Sequence, residues 1–201
     1  MKNIIFDLGG VLVGFDRQRS IDAFERIGCG KVADYIRDHR TEDLFYRIEL
    51  GEISTHDFCE EVRLMTTTNA DDEAIVEAWN VLLKPVTTER LQRLRELREA
   101  GHRLFLLSNT NDMHWQYCGH QVVDCFERVF LSYEMRLAKP DPQIFAEVLR
   151  QADIEACDTL FIDDNADNIE SAASLGINTF HNQNIDDWIL KIEHWRLNIE
   201  D

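Results

Sequence analysis

The sequence predicts an α/β protein: a Rossmann-like parallel sheet core with a small helical cap inserted after the first strand. Three observations carry this reading. The first dozen residues form a short apolar run, rich in Ile, Val and Phe, that breaks at Gly9-Gly10. That is the pattern of a buried central strand entering a tight turn. From Thr87 onward helical and strand-like segments alternate, as a parallel sheet covered on both faces requires. Between these regions, residues 16–85 carry helical patterns only. The expected division is therefore a core of residues 1–15 and 86–201 and a cap of residues 16–85.

Taken in order, the first strand ends at Asp7, where a carboxylate has no apolar reason to be. A buried, unpaired carboxylate is costly, so Asp7 must be paired, bound to a cation or used as a reagent; capping the following turn is the ordinary alternative. In the cap, Ile21, Phe24 and Ile27 share one helical face that ends at Gly28-Cys29-Gly30. Further helical patterns cover residues 32–36, 44–50, 58–65 and 75–83. Ser54 with Asp57 makes a capping box, and Asp71-Asp72-Glu73 places acids in the next first turn. In the core, Leu91, Leu94 and Leu97 form a stripe that stops at Gly101, and residues 102–108 form a strand ending in Ser108-Asn109-Thr110-Asn111. A helix through Phe126 leads to a strand at 128–132. The loop Lys139-Pro140-Asp141-Pro142 opens a helix with Ile144, Phe145, Val148 and Leu149 on one face. A strand at 158–163, a helix to Leu175, a strand at 176–180 and an amphipathic helix at 185–199 complete the chain.

Composition narrows the function. At 201 residues, with 44% hydrophobic and 29% charged content, the chain suits one folded domain with a modest insertion. No apolar run approaches the roughly 20 residues that span a bilayer. One Lys followed by a strand-like run with an Asp is not the pattern of a secretory signal. Five cysteines, odd in number and without CxxC spacing, fit reduced thiols in the cytoplasm. The formal charge of −17 argues against binding nucleic acid or anionic membranes. It also means that any anionic substrate needs local cations, a metal or helix N-termini to overcome the global field.

In an open parallel sheet, ligands bind beyond the carboxyl ends of the strands. Those ends carry Asp7, Ser108-Asn109, Lys139 in the loop beyond its strand, and Asp163-Asp164. Together they are parts for phosphoryl transfer: a carboxylate to attack, a hydroxyl and amides for the oxygens, a Lys, and carboxylates for Mg²⁺. Singly, each has an ordinary reading as a cap, a solvated Lys or a first-turn acid. Their coincidence at every expected strand end is what those readings leave unexplained.

Four stretches, Phe6-Asp7-Leu8-Gly9-Gly10, Leu107-Ser108-Asn109-Thr110-Asn111, Lys139-Pro140-Asp141 and Ile162-Asp163-Asp164-Asn165-Ala166-Asp167-Asn168, resemble in order and spacing the motifs of haloacid dehalogenase-like hydrolases. The set is most similar to the sugar-phosphate phosphatase branch, of the α-D-glucose-1-phosphate phosphatase type. The resemblance implies Asp7 as nucleophile forming an aspartyl-phosphate, and Ser108 with the Asn109 backbone binding the phosphoryl group. Lys139 steadies nucleophile and phosphate. Mg²⁺ is held by Asp7, the Gly9 carbonyl and Asp164, with Asp163 as second candidate and Asn165 and Asn168 in support. Position 9 departs from the pattern, since phosphatases of this superfamily usually carry there an Asp that protonates the leaving oxygen. Two replacements are conceivable: Asp16 reaching in from the cap linker, or an anomeric sugar phosphate whose leaving oxygen needs less help. Phe45, Tyr46, Arg47 and Glu49 are candidate substrate contacts from the cap. His114, Trp115, Tyr117 and His120 receive no role. Two rival readings are a metal-free 2-haloacid dehalogenase and a weakened protein that binds a phosphorylated ligand.

Overall fold

The computed structural model describes residues 2–38 and 43–197. Its centre is a five-stranded sheet of β1 (Asn3–Phe6), β2 (Arg103–Ser108), β3 (Arg128–Leu131), β4 (Thr159–Asp163) and β5 (Asn178–His181). Strand order is β3-β2-β1-β4-β5, and every neighbouring pair is parallel. Alternation along the strands builds two apolar layers. Ile4, Phe6, Leu104, Leu106, Leu160 and Ile162 pack on one face with Leu94, Leu97 and Trp188. Ile5, Phe105, Leu107 and Phe161 pack on the other with Ile144, Phe145 and Val148. With both faces covered, β1 is buried at all four residues, and each side chain such as Phe6 contributes roughly 1.5–3 kcal/mol by leaving water.

Eleven described helices surround or extend this sheet. Those of the insertion are α1 (Arg17–Arg26), α2 (Gly30–Asp38), α3 (Asp43–Glu49), α4 (Thr55–Thr66) and α5 (Asp72–Asn80). Those of the core are α6 (Thr88–Glu99), α7 (Asp112–Cys118), the one-turn α8 (Ser132–Met135), α9 (Pro142–Ala152), α10 (Ala166–Ser174) and α11 (Asp187–Leu197). The Ser54–Asp57 capping box forms at α4, Asp71 caps α5, and Thr87 caps α6. Helices α1–α5 bury a cluster of their own, including Ile21, Phe24, Val32, Phe58, Val62 and Ile75. The two connections between this cluster and the core are hydrogen-bonded to each other. Asp16 N–H donates to Leu82 O at 2.7 Å, Lys84 N–H donates to Gly14 O at 2.8 Å, and Phe15 and Leu83 form an antiparallel bridge.

Several boundaries differ from expectation, among them the last strand, expected at 176–180 and found at Asn178–His181. Gly28, at φ +80°, ends α1, whereas Gly30 already begins α2. The helix expected through Phe126 stops at Cys118, and two 3-10 turns follow; Gly119 and the β-branched pair Val122-Val123 weaken an α-helix there. Ser132 opens α8 rather than closing β3. The last helix begins at Asp187, and positions 198–199 of its expected range lie outside the described residues.

Candidate active site

From β1 the chain passes to β2 and β3 on one side, then to β4 and β5 on the other, so strand order reverses at β1. A crevice opens at the carboxyl ends beside such a reversal. Asp7 directly follows β1, its N–H still paired with Ile162 O at 2.9 Å. Ser108 ends β2 and Asp163 ends β4. Lys139 enters from the loop before α9, and its Nζ donates to Asp7 Oδ1 (2.8 Å), Asp163 Oδ2 (2.6 Å) and Leu107 O (3.1 Å). The loop is clasped by the Asn109 side chain. Its Nδ2 donates to Lys139 O at 2.7 Å, and Lys139 N–H donates to its Oδ1 at 2.9 Å. Asn109 thus has a side-chain function beyond the backbone contact the motif implies.

This is a dense set of charges in little water. Asp7, Lys139 and Asp163 are 8%, 4% and 0% exposed. Burial pushes the Asp7 carboxyl up, and the nearby Asp163 and Asp164 add to the rise, while Lys139 pulls against it. Burial also penalises the Lys139 ammonium, but Asp7 and Asp163 outweigh that and hold it above the ordinary lysine value. The two adjacent acids differ. Asp163 accepts from Lys139, from Asn165 N–H (2.8 Å) and from Asn168 Nδ2 (3.0 and 3.1 Å), so its oxygens are occupied. Asp164 is exposed, and partial loss of water followed by the Asp163 charge raises its pKa. Asn165 also caps α10 by accepting from Asp167 N–H and Asn168 N–H.

Asp7, Asp163 and Asp164 bring ligand oxygens within 4.8 Å of one another. Three carboxylates against one ammonium leave a negative site made of hard oxygen donors, which suits a small divalent cation such as Mg²⁺. Gly10, at φ +71°, makes room for the Asp164 carboxylate, which a Cβ at this position would overlap. Gly10→Ala is therefore expected to be doubly unfavourable. The left-handed backbone costs an L-residue roughly 1–2 kcal/mol, and the displaced Asp164 should weaken cation binding. Thermal unfolding with and without Mg²⁺ reads both effects; an unchanged Mg²⁺ response would refute the placement of Asp164.

A cavity of about 250 Å³ lies over these strand ends, lined on the core side by Gly9, Ser108, Asn109 and Thr110. Arg17, Glu49 and Trp79 line it from the insertion. A neighbouring cavity of about 230 Å³ shares Arg17, Glu49, Trp79 and Leu82 and extends to Tyr35 and Phe45. Of the expected cap contacts, Phe45 and Glu49 thus face the cavities. Tyr46 is exposed, and Arg47 is paired with Glu61 at 2.9 Å. His114 had no sequence signal, yet it lines the cavity and stacks on Trp79 with centroids 5.1 Å apart. Burial pushes its pKa down to about 4, so the ring is neutral. Asp16 is not brought to the cavity. Phe15 and Arg17 line it, whereas Asp16 between them does not. The Phe15 ring occupies the space where a side chain at position 9 would begin.

A family model described as haloacid dehalogenase-like hydrolase matches residues 1–176. The chain belongs to that family. Among haloacid dehalogenase-like relatives, a D-ribitol-5-phosphate phosphatase of Bacteroides thetaiotaomicron is 30% identical over 196 residues, covering 94% of this chain and 95% of its own. A haloacid dehalogenase family enzyme of the same organism, crystallised as an aspartate-to-alanine variant with magnesium and inorganic phosphate, superposes with a TM-score of 0.85. It shares 39% identity, with 90% of this chain and 93% of that one covered. A haloacid dehalogenase-like hydrolase of Porphyromonas gingivalis gives a TM-score of 0.85 at 32% identity, with 97% of each chain covered.

Proposed function

We propose that this hydrolase is a Mg²⁺-dependent phosphatase of a small phosphorylated metabolite, favouring sugar or sugar-alcohol phosphates, that works through an aspartyl-phosphate on Asp7. One observation carries the reading: a buried lysine bridges Asp7 and Asp163 beside the open carboxylate of Asp164, at strand ends whose neighbours Gly9, Ser108 and Asn109 line a cavity shared with the insertion. In this reading residues 16–85 are the cap. Asp7, Asp164 and the Gly9 carbonyl would hold the metal, with Asp163 as second carboxylate, and Mg²⁺ would supply neutralisation of phosphoryl charge there. Lys139 engages Asp7 Oδ1, which keeps the other oxygen available for attack on phosphorus. The Ser108 hydroxyl and the Asn109 N–H hold the transferring group. Asp163, locked by Asn168 and Asn165 N–H, positions Lys139. The cap excludes water and selects the substrate. Five free thiols, four of them buried, support a reducing compartment such as the cytoplasm.

The same carboxylate cluster counts against haloacid dehalogenation, which has no use for a cation there. Phosphate release over a panel including D-ribitol 5-phosphate, glucose 1-phosphate and glucose 6-phosphate, with Mg²⁺ or EDTA, tests the reading. Metal-dependent turnover of one or more supports it; chloride release from 2-chloropropionate in EDTA, with no phosphate release, overturns it. Equal rates on the two glucose phosphates would remove the argument that an easy leaving group compensates for Gly9.

Stability should report the metal as well. The folded pKa of Asp7 lies above its unfolded value, and that of Glu49 is raised to about 7. At these two carboxyls the folded, metal-free protein holds protons that the unfolded chain releases, so their contribution to stability grows as pH falls through the folded values and outweighs the opposing contribution of His114, which stays neutral when folded. The Tm without metal is expected to rise as pH is lowered from about 8 to about 5. Mg²⁺ competes with protons at Asp7 and should flatten that slope by raising the Tm at the alkaline end. Differential scanning fluorimetry in EDTA and in Mg²⁺ measures both slopes, and a Tm that falls over this range in EDTA would contradict the assignment.

A further inference from the structure

We propose that Glu49 of the cap is the proton donor to the leaving oxygen, standing in for the acid that Gly9 cannot supply. This rests on the phosphatase reading and adds a catalytic residue to it. The space beside residue 9 is taken by the Phe15 ring, so the donor must come from elsewhere. Glu49 is the one carboxyl among the described residues lining the cavity over Gly9, Ser108 and Asn109. The other polar candidates fail on chemistry. Arginine, as at position 17, holds its protons too tightly to serve as an acid. The His114 ring is already neutral, and the Lys139 ammonium is spent on Asp7 and Asp163.

The position of Glu49 is fixed by the core rather than by the cap alone. Ser132 Oγ lies 2.7 Å from Glu49 O and 3.0 Å from Thr110 O, and it accepts from Thr110 N–H at 2.9 Å. Residue 49 is thereby tied to the loop that starts at Ser108. Arg136, at the end of α8, donates to the Gly51 carbonyl and adds a second tie. At Gly51 a Cβ would strike Tyr133 O, which marks how closely the two parts meet. The charged group that acts on the carboxyl is Lys139 from the loop; Arg17 from α1 and His114 from α7 share the lining of its cavity, Tyr35 from α2 lines the neighbouring one, and Arg136 is engaged with the residue 51 backbone. Removal from water raises the carboxyl to about 7 against the pull of Lys139, which matches a general acid to neutral pH.

The step balances. An Asp7 carboxylate oxygen forms a bond to phosphorus, and the bond from phosphorus to the ester oxygen breaks. That oxygen keeps the electron pair and takes the Glu49 proton, leaving an alcohol, an aspartyl-phosphate and the Glu49 carboxylate. Glu49 then takes a proton from the water that attacks phosphorus. The pair of the breaking bond returns to Asp7, and inorganic phosphate leaves.

Single-turnover rates with phenyl phosphate and 4-nitrophenyl phosphate, in Mg²⁺, test this on the whole chain. Phenolate is a poor leaving group that needs the proton; nitrophenolate is not. Glu49→Gln should slow phosphoryl transfer from phenyl phosphate by roughly 10²-fold, with a loss from 4-nitrophenyl phosphate at least about tenfold smaller. Equal losses on both, or no loss on phenyl phosphate, would overturn the proposal. In the unaltered protein, kcat/KM for phenyl phosphate should fall above about pH 7 while that for 4-nitrophenyl phosphate does not. This profile decides the matter if Glu49→Gln fails to fold, and identical profiles would also overturn it. Failure of the unaltered protein to release phosphate from either ester would instead sink the phosphatase reading beneath it.

Discussion

Asp7→Asn is expected to lower phosphate release by at least about 10⁴-fold, the scale on which loss of a covalent nucleophile acts. The change should not unfold the protein. Burial already disfavours a charge at position 7, and Lys139 retains Asp163 as a partner. In EDTA the Tm of Asp7→Asn is therefore expected to equal or exceed that of the unaltered chain, the usual sign of a residue kept for activity at the expense of stability. Phosphate assays and thermal melts on the same preparation check both halves. Substantial residual turnover would count against Asp7 as the attacking group.

Lys139→Met should also abolish turnover, but with the opposite effect on stability. Without the ammonium, the Asp7 and Asp163 carboxylates face each other in a nearly dry site. Breaking a buried ion pair by removing one partner costs roughly 3–5 kcal/mol, a Tm loss on the order of 10 °C for a chain of this size. Lowering the pH should recover part of it, because protonation of one carboxylate relieves the repulsion. The contrast between the two variants is the informative quantity. If Lys139→Met melted no lower than Asp7→Asn, the lysine would not be the hub of this charge network.

Much of this site is legible in the sequence because the sheet is regular. Short apolar runs mark the strands, the residue at each run's end falls at the ligand crevice, and so Asp7, Ser108 and Asp163 follow from pattern alone. Lys139 does not stand out alone, since before Pro140 it reads equally as a solvated lysine; it follows only from its coincidence with the other three ends and from the motif it shares. What the chain does not disclose are relations across long separations. The distinction between Asp163 and Asp164 depends on which of them Lys139 and Asn168 reach, and the hold of Asn109 on the Lys139 loop spans 30 positions. Asp16 is a reasonable guess for the missing acid because it is close in sequence. It serves instead as the residue before α1 and does not line the cavity, while Glu49 arrives through the packing of five helices and the tie from Ser132. His114 illustrates the same limit, since its environment is made by Trp79 from the insertion.

The central claim is that phosphorus becomes covalently attached to the carboxylate after β1. Mixing the protein with Mg²⁺ and 4-nitrophenyl phosphate, quenching in acid within one turnover, and sequencing the peptides by mass spectrometry tests it directly. The account predicts a phosphoryl group on the peptide containing Asp7, absent when EDTA replaces Mg²⁺. A phosphoryl group on any other residue, or full turnover with an unmodified Asp7 at every quench time, would contradict it.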